Sequence, residues 1–191
     1  MLYLASTSPR RRELIARLGV DCTYCASDAD ERVCGLLPPE ELVKTLSRRK
    51  AEGARAPREG NIILGVDTVV ALDGRILGKP KDDADAKRML HALSGRTHEV
   101  YSGFTLIGGG KTHSESVCTS VRFAELTERE IDRYVASGEP RDKAGAYGIQ
   151  GLGGMLVTGI SGDYYNVVGL PLRRIYEVLR DEYGVCADEN F

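Results

Sequence analysis

A carboxylate, Asp67, ends the otherwise uncharged run Asn61-Ile62-Ile63-Leu64-Gly65-Val66 and is followed by Thr68. Burying that charge costs free energy unless a cation or metal ion pairs with it, so Asp67 is either an ion-paired structural residue or a group with chemistry to perform. Gly78-Lys79-Pro80-Lys81-Asp82 adds a cation at Lys79 and a second carboxylate, although helix capping alone would account for Asp82. The stretch Asp28-Ala29-Asp30-Glu31 offers oxygen ligands for Mg²⁺ or is a solvated loop. Three arginines, Arg10, Arg11 and Arg12, follow Ser8-Pro9 at the start of a helix, where orphan N–H groups and the positive end of the dipole already stand. A phosphate among them would reverse the repulsion; otherwise the three side chains splay into water. On charge alone, removing Arg11 should slightly stabilise the chain. A glycine-dense loop, residues 143–154, completes a set suited to hydrolysing a nucleotide phosphate.

These groups need a scaffold that the apolar pattern supplies. Residues 2–5 read as a buried strand, 9–18 as a helix with Ser8 at its N-cap and Pro9 at its first position, and 21–26 as a second strand. A helix from about 39 to 54 begins with Glu40 and Glu41 and carries Arg48, Arg49 and Lys50 toward its end, as the dipole favours. Asp67 interrupts a strand pattern that resumes at Val69 and turns at Asp73-Gly74. A helix capped by Asp82 runs to Leu93; strands near 97–107 and 112–124 form a long hairpin about Gly108-Gly109-Gly110. A helix over 127–137 opens with the capping pattern Thr127 to Glu130 and stops at Gly138; a strand near 155–160 and a helix near 170–180 follow.

With 191 residues and no internal repeat or linker, the chain is expected to form a single domain, residues 1–191, of α/β or α+β class. A formal charge of −2 argues against binding nucleic acid polymers, which need a broad basic face. The short apolar start is too brief for a signal peptide and no stretch approaches a membrane span, so the expected location is the cytoplasm. Cys22 and Cys25 have C-x-x-C spacing, but strand alternation sends them to opposite faces, which favours structural thiols over a metal or redox pair. Neither a P-loop nor a dinucleotide-binding glycine motif is present.

Leu4-Ala5-Ser6-Thr7-Ser8-Pro9-Arg10-Arg11, Gly65-Val66-Asp67-Thr68-Val69-Val70, Gly78-Lys79-Pro80-Lys81-Asp82, Leu93-Ser94-Gly95-Arg96-Thr97-His98, Asp142 to Gly151 and Val168-Gly169-Leu170-Pro171-Leu172 together resemble the Maf family of nucleoside triphosphate pyrophosphatases. The resemblance runs in order from about Leu2 to Leu179. It implies a fold related to the inosine triphosphate pyrophosphatases, with a long mixed β-sheet, flanking helices and a cleft between two lobes. It also implies attack of water on the α-phosphorus of a nucleoside triphosphate, assisted by Mg²⁺ or Mn²⁺, with release of pyrophosphate.

By the same resemblance Asp67 is the proton acceptor, and Arg11, Thr68 and Gln150 govern substrate choice. Ser6, Ser8, Arg10, Arg11, Lys50 and Lys79 bind phosphate, while Asp67, Glu31 and Asp82 take the metal. Ser-Pro-Arg-Arg at 8–11, Asp67-Thr68 and Ala-Tyr-Gly-Ile-Gln-Gly at 146–151 are similar to the branch acting on dTTP and UTP, with CTP and modified pyrimidines as further candidates. The branch acting on 7-methyl-GTP has Trp, Gln and an acidic residue at the corresponding motifs, and a carboxamide at Gln150 suits a neutral pyrimidine because it both donates and accepts. Asp30 stands where Glu is common, and Arg141 where an apolar residue is usual. A homodimer and a link to cell division are further expectations from the resemblance. The alternative function is a nucleotide-sensing regulator of septum formation that needs no turnover.

Overall fold

The computed structural model describes residues 1–32 and 36–187; Cys34 lies outside the described residues. In chain order the described strands and α-helices are β1 (Leu2–Ala5), α1 (Pro9–Ala16), β2 (Cys22–Cys25), α2 (Pro39–Glu52), β3 (Ile62–Leu72), β4 (Arg75–Leu77), α3 (Asp83–Leu93), β5 (Thr97–Gly108), β6 (Lys111–Phe123), α4 (Glu128–Ala136), β7 (Val157–Ser161), α5 (Tyr164–Val168) and α6 (Leu172–Tyr183), with short 3-10 turns at Glu139–Asp142, Ala144–Ala146 and Leu152–Leu156. The strands form one mixed sheet in the order β2-β1-β3-β5-β6-β7, with β4 paired to β3. β1 is parallel to both β2 and β3, whereas β4 runs antiparallel to β3 and β7 antiparallel to β6. This is the expected α/β class.

The local chemistry explains the boundaries. Ser8 Oγ accepts the Arg11 backbone N–H, Pro9 opens α1, and Leu14 and Ile15 are buried beneath it. α4 begins in a complete capping box between Thr127 and Glu130, and Gly138 follows with φ +76°, a left-handed conformation suited to glycine. Asp67 does not break its strand, since β3 runs continuously from Ile62 to Leu72 with nine of its eleven residues buried. The short helix α5 has no counterpart in the apolar pattern, because five residues are too few to show a helical period.

Two compact units are present. The first takes the described residues of Met1–Asp67, Ser102–Val117 and Gly169–Phe191; the second takes Thr68–Tyr101 and Cys118–Val168. In the first, α2 packs onto β3 and β5 through two glycines. A Cβ on Gly65 would overlap the Ser47 carbonyl oxygen and stand 2.5 Å from the Ala51 nitrogen, and one on Gly103 would overlap the Val43 carbonyl. Backbone therefore meets backbone, and only glycine permits it. In the second, Val70, Leu90, Leu93, Phe123, Ile131 and Tyr147 belong to one core.

Cys22 and Cys25 carry free thiols, and burial pushes both up, Cys22 to about 11, so neither is a ready thiolate. No helix among the described residues is long and apolar enough to cross a membrane.

Candidate active site

Asp67 sits two residues beyond Gly65 on β3, so strand alternation directs both toward the same face, the one against α2. The close approach at Gly65 brings the last turns of α2 over that face. Lys50 Nζ there donates to Asp67 Oδ1 at 2.6 Å, with both side chains largely withdrawn from water. The same ammonium lies 3.2 Å from Glu31 Oε2. One lysine thus faces two carboxylates.

Glu31 reaches Lys50 because its segment is hooked onto the end of α2. Ser27 Oγ donates to the Lys50 carbonyl at 2.9 Å, and the Asp28 N–H donates to the Gly53 carbonyl at 2.9 Å. Arg49 Nη1 then donates to the carbonyls of Asp30 and Arg32, at 3.0 and 2.7 Å, gripping the backbone on both sides of Glu31. The neighbouring acids look elsewhere. Asp28 pairs with Arg55 and Asp30 pairs with Arg32, and each partner holds its carboxyl below the usual range.

The arginines of α1 neither all splay into water nor all wait for an anion. Arg11 Nε donates to the Gly169 carbonyl at 3.0 Å and Nη1 to the Val66 carbonyl at 2.9 Å, so its guanidinium ties the start of α1 to the residue before Asp67. Burial draws Arg11 below its ordinary value, with Asp67 and Glu31 opposing that shift and Arg10 adding to it; these four charges share one electrostatic neighbourhood. Arg11 remains a cation. Arg12 turns back over the Tyr24 ring, 5.1 Å from its centroid, with its guanidinium 3.5 Å from the Ser6 carbonyl. Ser6 is itself buried, and its hydroxyl accepts the Ser8 N–H at 3.2 Å.

The first unit therefore gathers Ser6, Ser8, Arg10, Arg11, Glu31, Lys50 and Asp67. Thr68, Lys79, Asp82 and Gln150 belong to the second unit. Thr68 is partly buried beside Asp67 in β3, whereas Lys79 and Gln150 are exposed. Asp82 Oδ1 accepts the Asp85 N–H at 2.7 Å and caps α3. The Gly145 N–H donates to the Gly78 carbonyl at 3.0 Å, which joins the glycine-dense loop to the segment carrying Lys79.

Among the described residues no group of three His, Cys, Asp or Glu is arranged around a metal position. Two carboxylates on one cation are nonetheless the right donors for Mg²⁺ or Mn²⁺, since Mg²⁺ at phosphates typically takes one or two protein carboxylates and completes its shell with water and substrate. Asp67 and Glu31 fit that requirement. Glu139 is the residue that the sequence does not single out: it follows the helix stop at Gly138, and its carboxylate accepts two backbone N–H groups of the glycine-dense loop. The usable signal was that loop's surplus of N–H donors, which need an acceptor from outside.

The chain matches the family described as Maf-like protein over residues 1–182. It is 52% identical over 183 residues to the dTTP/UTP pyrophosphatase of Moorella thermoacetica, covering 93% of each chain. It is 49% identical over 177 residues to the dTTP/UTP pyrophosphatase of Bacillus cytotoxicus, again covering 93% of each, and 48% identical over 179 residues to that of Bacillus cereus strain AH820, covering 94% of each.

Proposed function

The chain belongs to the Maf family, and on that premise we propose that it hydrolyses dTTP and UTP to the nucleoside monophosphate and pyrophosphate. The observation that carries the reading is the buried Lys50–Asp67 pair beside Glu31 and Arg11. A carboxylate held that firmly is oriented in advance, and the arginines and lysine around it offer the positive charge a triphosphate requires.

In this reading the substrate's phosphates lie against Arg10, Arg11, Lys50 and Lys79, with the Ser6 and Ser8 region at the start of α1 as a further contact. Water attacks the α-phosphorus, the bond to the α,β-bridging oxygen breaks, and pyrophosphate leaves. With Oδ1 on Lys50, Asp67 Oδ2 is the oxygen assigned to the water's proton. Asp67 and Glu31 are the residues that would hold Mg²⁺ or Mn²⁺, with Asp82 as a third candidate; the bound ion would neutralise phosphate charge and polarise the α-phosphoryl group. Gln150, with Thr68, selects the pyrimidine, and the fixed cation of Arg11 orients the triphosphate.

We also read the two compact units as parts of one domain, a reading supported by the family match running through both. A cytoplasmic location, a homodimeric state, no role for nucleic acid polymers and a duty in clearing the nucleotide pool belong to the same proposal. The test is a panel of dTTP, UTP, CTP and 7-methyl-GTP with Mg²⁺ or Mn²⁺, scoring pyrophosphate. Preference for the first two supports the reading; turnover of none of the four, or orthophosphate as the first product, rejects it.

A further inference from the structure

Five of the twelve residues from Lys143 to Gly154 are glycine; Ala146 and Tyr147 anchor the first half in the core, while Gln150, Gly151 and Leu152 are exposed, so the backbone around Gln150 needs a restraint other than core packing. Glu139 supplies the restraint. Its Oε2 accepts the Leu152 N–H at 2.8 Å, and its Oε1 accepts the Gly153 N–H at 3.1 Å and the Tyr134 hydroxyl at 2.9 Å. The Tyr134 oxygen in turn accepts the Gly148 N–H at 3.1 Å. Two side chains outside the loop therefore hold its backbone on both sides of Gln150.

The fit is close. A Cβ on Gly151 would overlap the Glu139 carboxylate, and one on Gly153 would stand 2.5 Å from the Tyr134 hydroxyl, so these glycines let the clamp approach the backbone. Burial alone would raise the Glu139 carboxyl. The N–H groups of Gly153 and Leu152, with Tyr134 and Lys143, hold it below the usual range, so it is an anion making charge-assisted bonds.

We propose that Glu139, acting with Tyr134, is a positioning residue for base selection, fixing the backbone on which Gln150 presents its carboxamide. This rests on the reading of Gln150 as the residue that chooses the pyrimidine. Glu139 touches no reacting atom. Its loss should disturb recognition of the base and leave recognition of the phosphates alone.

The experiment compares wild type, Glu139→Gln and Tyr134→Phe in the full chain, measuring kcat and KM for dTTP, UTP and CTP, inhibition by inorganic tripolyphosphate, and Tm. Glu139→Gln keeps size and shape but sets an amide NH₂ against a backbone N–H. It should lower kcat/KM for dTTP and UTP roughly 10-fold, mainly through KM, and narrow their advantage over CTP. Tyr134→Phe should shift the ranking in the same direction by a smaller factor. Tripolyphosphate carries no base and should inhibit folded variants as it inhibits wild type. An unchanged base ranking in both variants overturns the inference, as does a loss of tripolyphosphate inhibition in step with the loss of dTTP hydrolysis. A wild-type chain that releases no pyrophosphate overturns the parent function and this inference with it.

Discussion

Lys50 Nζ lies 2.6 Å from Asp67 Oδ1, and the same nitrogen lies 3.2 Å from Glu31 Oε2. The lysine both stabilises a carboxylate that the strand would otherwise bury unpaired and holds it toward the α2 side of β3. Removing one partner of such a pair strands the other. Lys50→Met should cost roughly 3 kcal/mol of unfolding free energy by urea titration and abolish most turnover. Combining Lys50→Met with Asp67→Asn should recover a large part of the stability and none of the activity. Equal stability of Lys50→Met and wild type would mean that the pair carries no stabilisation.

Gly65 places that lysine. Gly65→Ala sets a methyl group into the backbone of α2 and should force the helix away from β3, destabilising the chain by about 1 to 3 kcal/mol. Because Lys50 moves with α2, kcat should fall more than KM rises. Stability and turnover both within experimental error of wild type would show that α2 can shift without disturbing Lys50.

Arg11 has partners that the charge pattern does not show. At the level of the helix dipole its removal relieves repulsion, but its guanidinium donates to the Val66 and Gly169 carbonyls. Arg11→Ala should therefore destabilise the chain without nucleotide by roughly 1 to 3 kcal/mol, since carbonyls lose a charged donor. It should also raise KM for dTTP. A variant as stable as wild type would make those two bonds energetically neutral.

His98 gives the second unit a pH dependence. Its side chain is fully buried beside Phe123, with Nε2 2.8 Å from the Tyr147 hydroxyl and Nδ1 without a hydrogen-bond partner among the described residues. Burial depresses it from 6.5 to about 4. Between those values the unfolded chain binds a proton that the folded chain does not, so stability from this group is complete above about pH 6.5 and lost as pH falls toward 4. The full loss is roughly 3 kcal/mol. Urea titrations from pH 7 to 4 should show this slope in wild type and lack it in His98→Leu; identical slopes would assign the acid sensitivity to other groups.

The sequence carried the elements because their signals are local. Ser8 and Pro9 start α1, the Thr127–Glu130 box starts α4, and Asp73-Gly74 turns β3 into β4. The apolar run marked Asp67 as a costly charge needing a partner, but the partner was hidden. Lys50 is seventeen residues away on a different element, and only the missing Cβ of Gly65 brings that element close enough. The acceptors of Arg11 are the carbonyls of Val66 and Gly169, the latter 158 residues distant, and a carbonyl leaves no trace in residue type, so charge and the helix dipole are all that the sequence offers there. Glu139 is harder to see, since its partners are two backbone N–H groups and the Tyr134 hydroxyl, and the glycine-dense loop's need for an acceptor does not say which residue supplies it.

If the proposed function holds, Asp67 takes the proton of a water that attacks the α-phosphorus. The most direct measurement is hydrolysis of dTTP in ¹⁸O-labelled water with a divalent metal, locating the label in the products for wild type and Asp67→Asn. The label should enter dTMP and be absent from pyrophosphate, and Asp67→Asn should form dTMP at least roughly 10²-fold more slowly while unfolding cooperatively. Label in pyrophosphate or orthophosphate would place the attack on another phosphorus, and near wild-type turnover by Asp67→Asn would remove Asp67 as the proton acceptor.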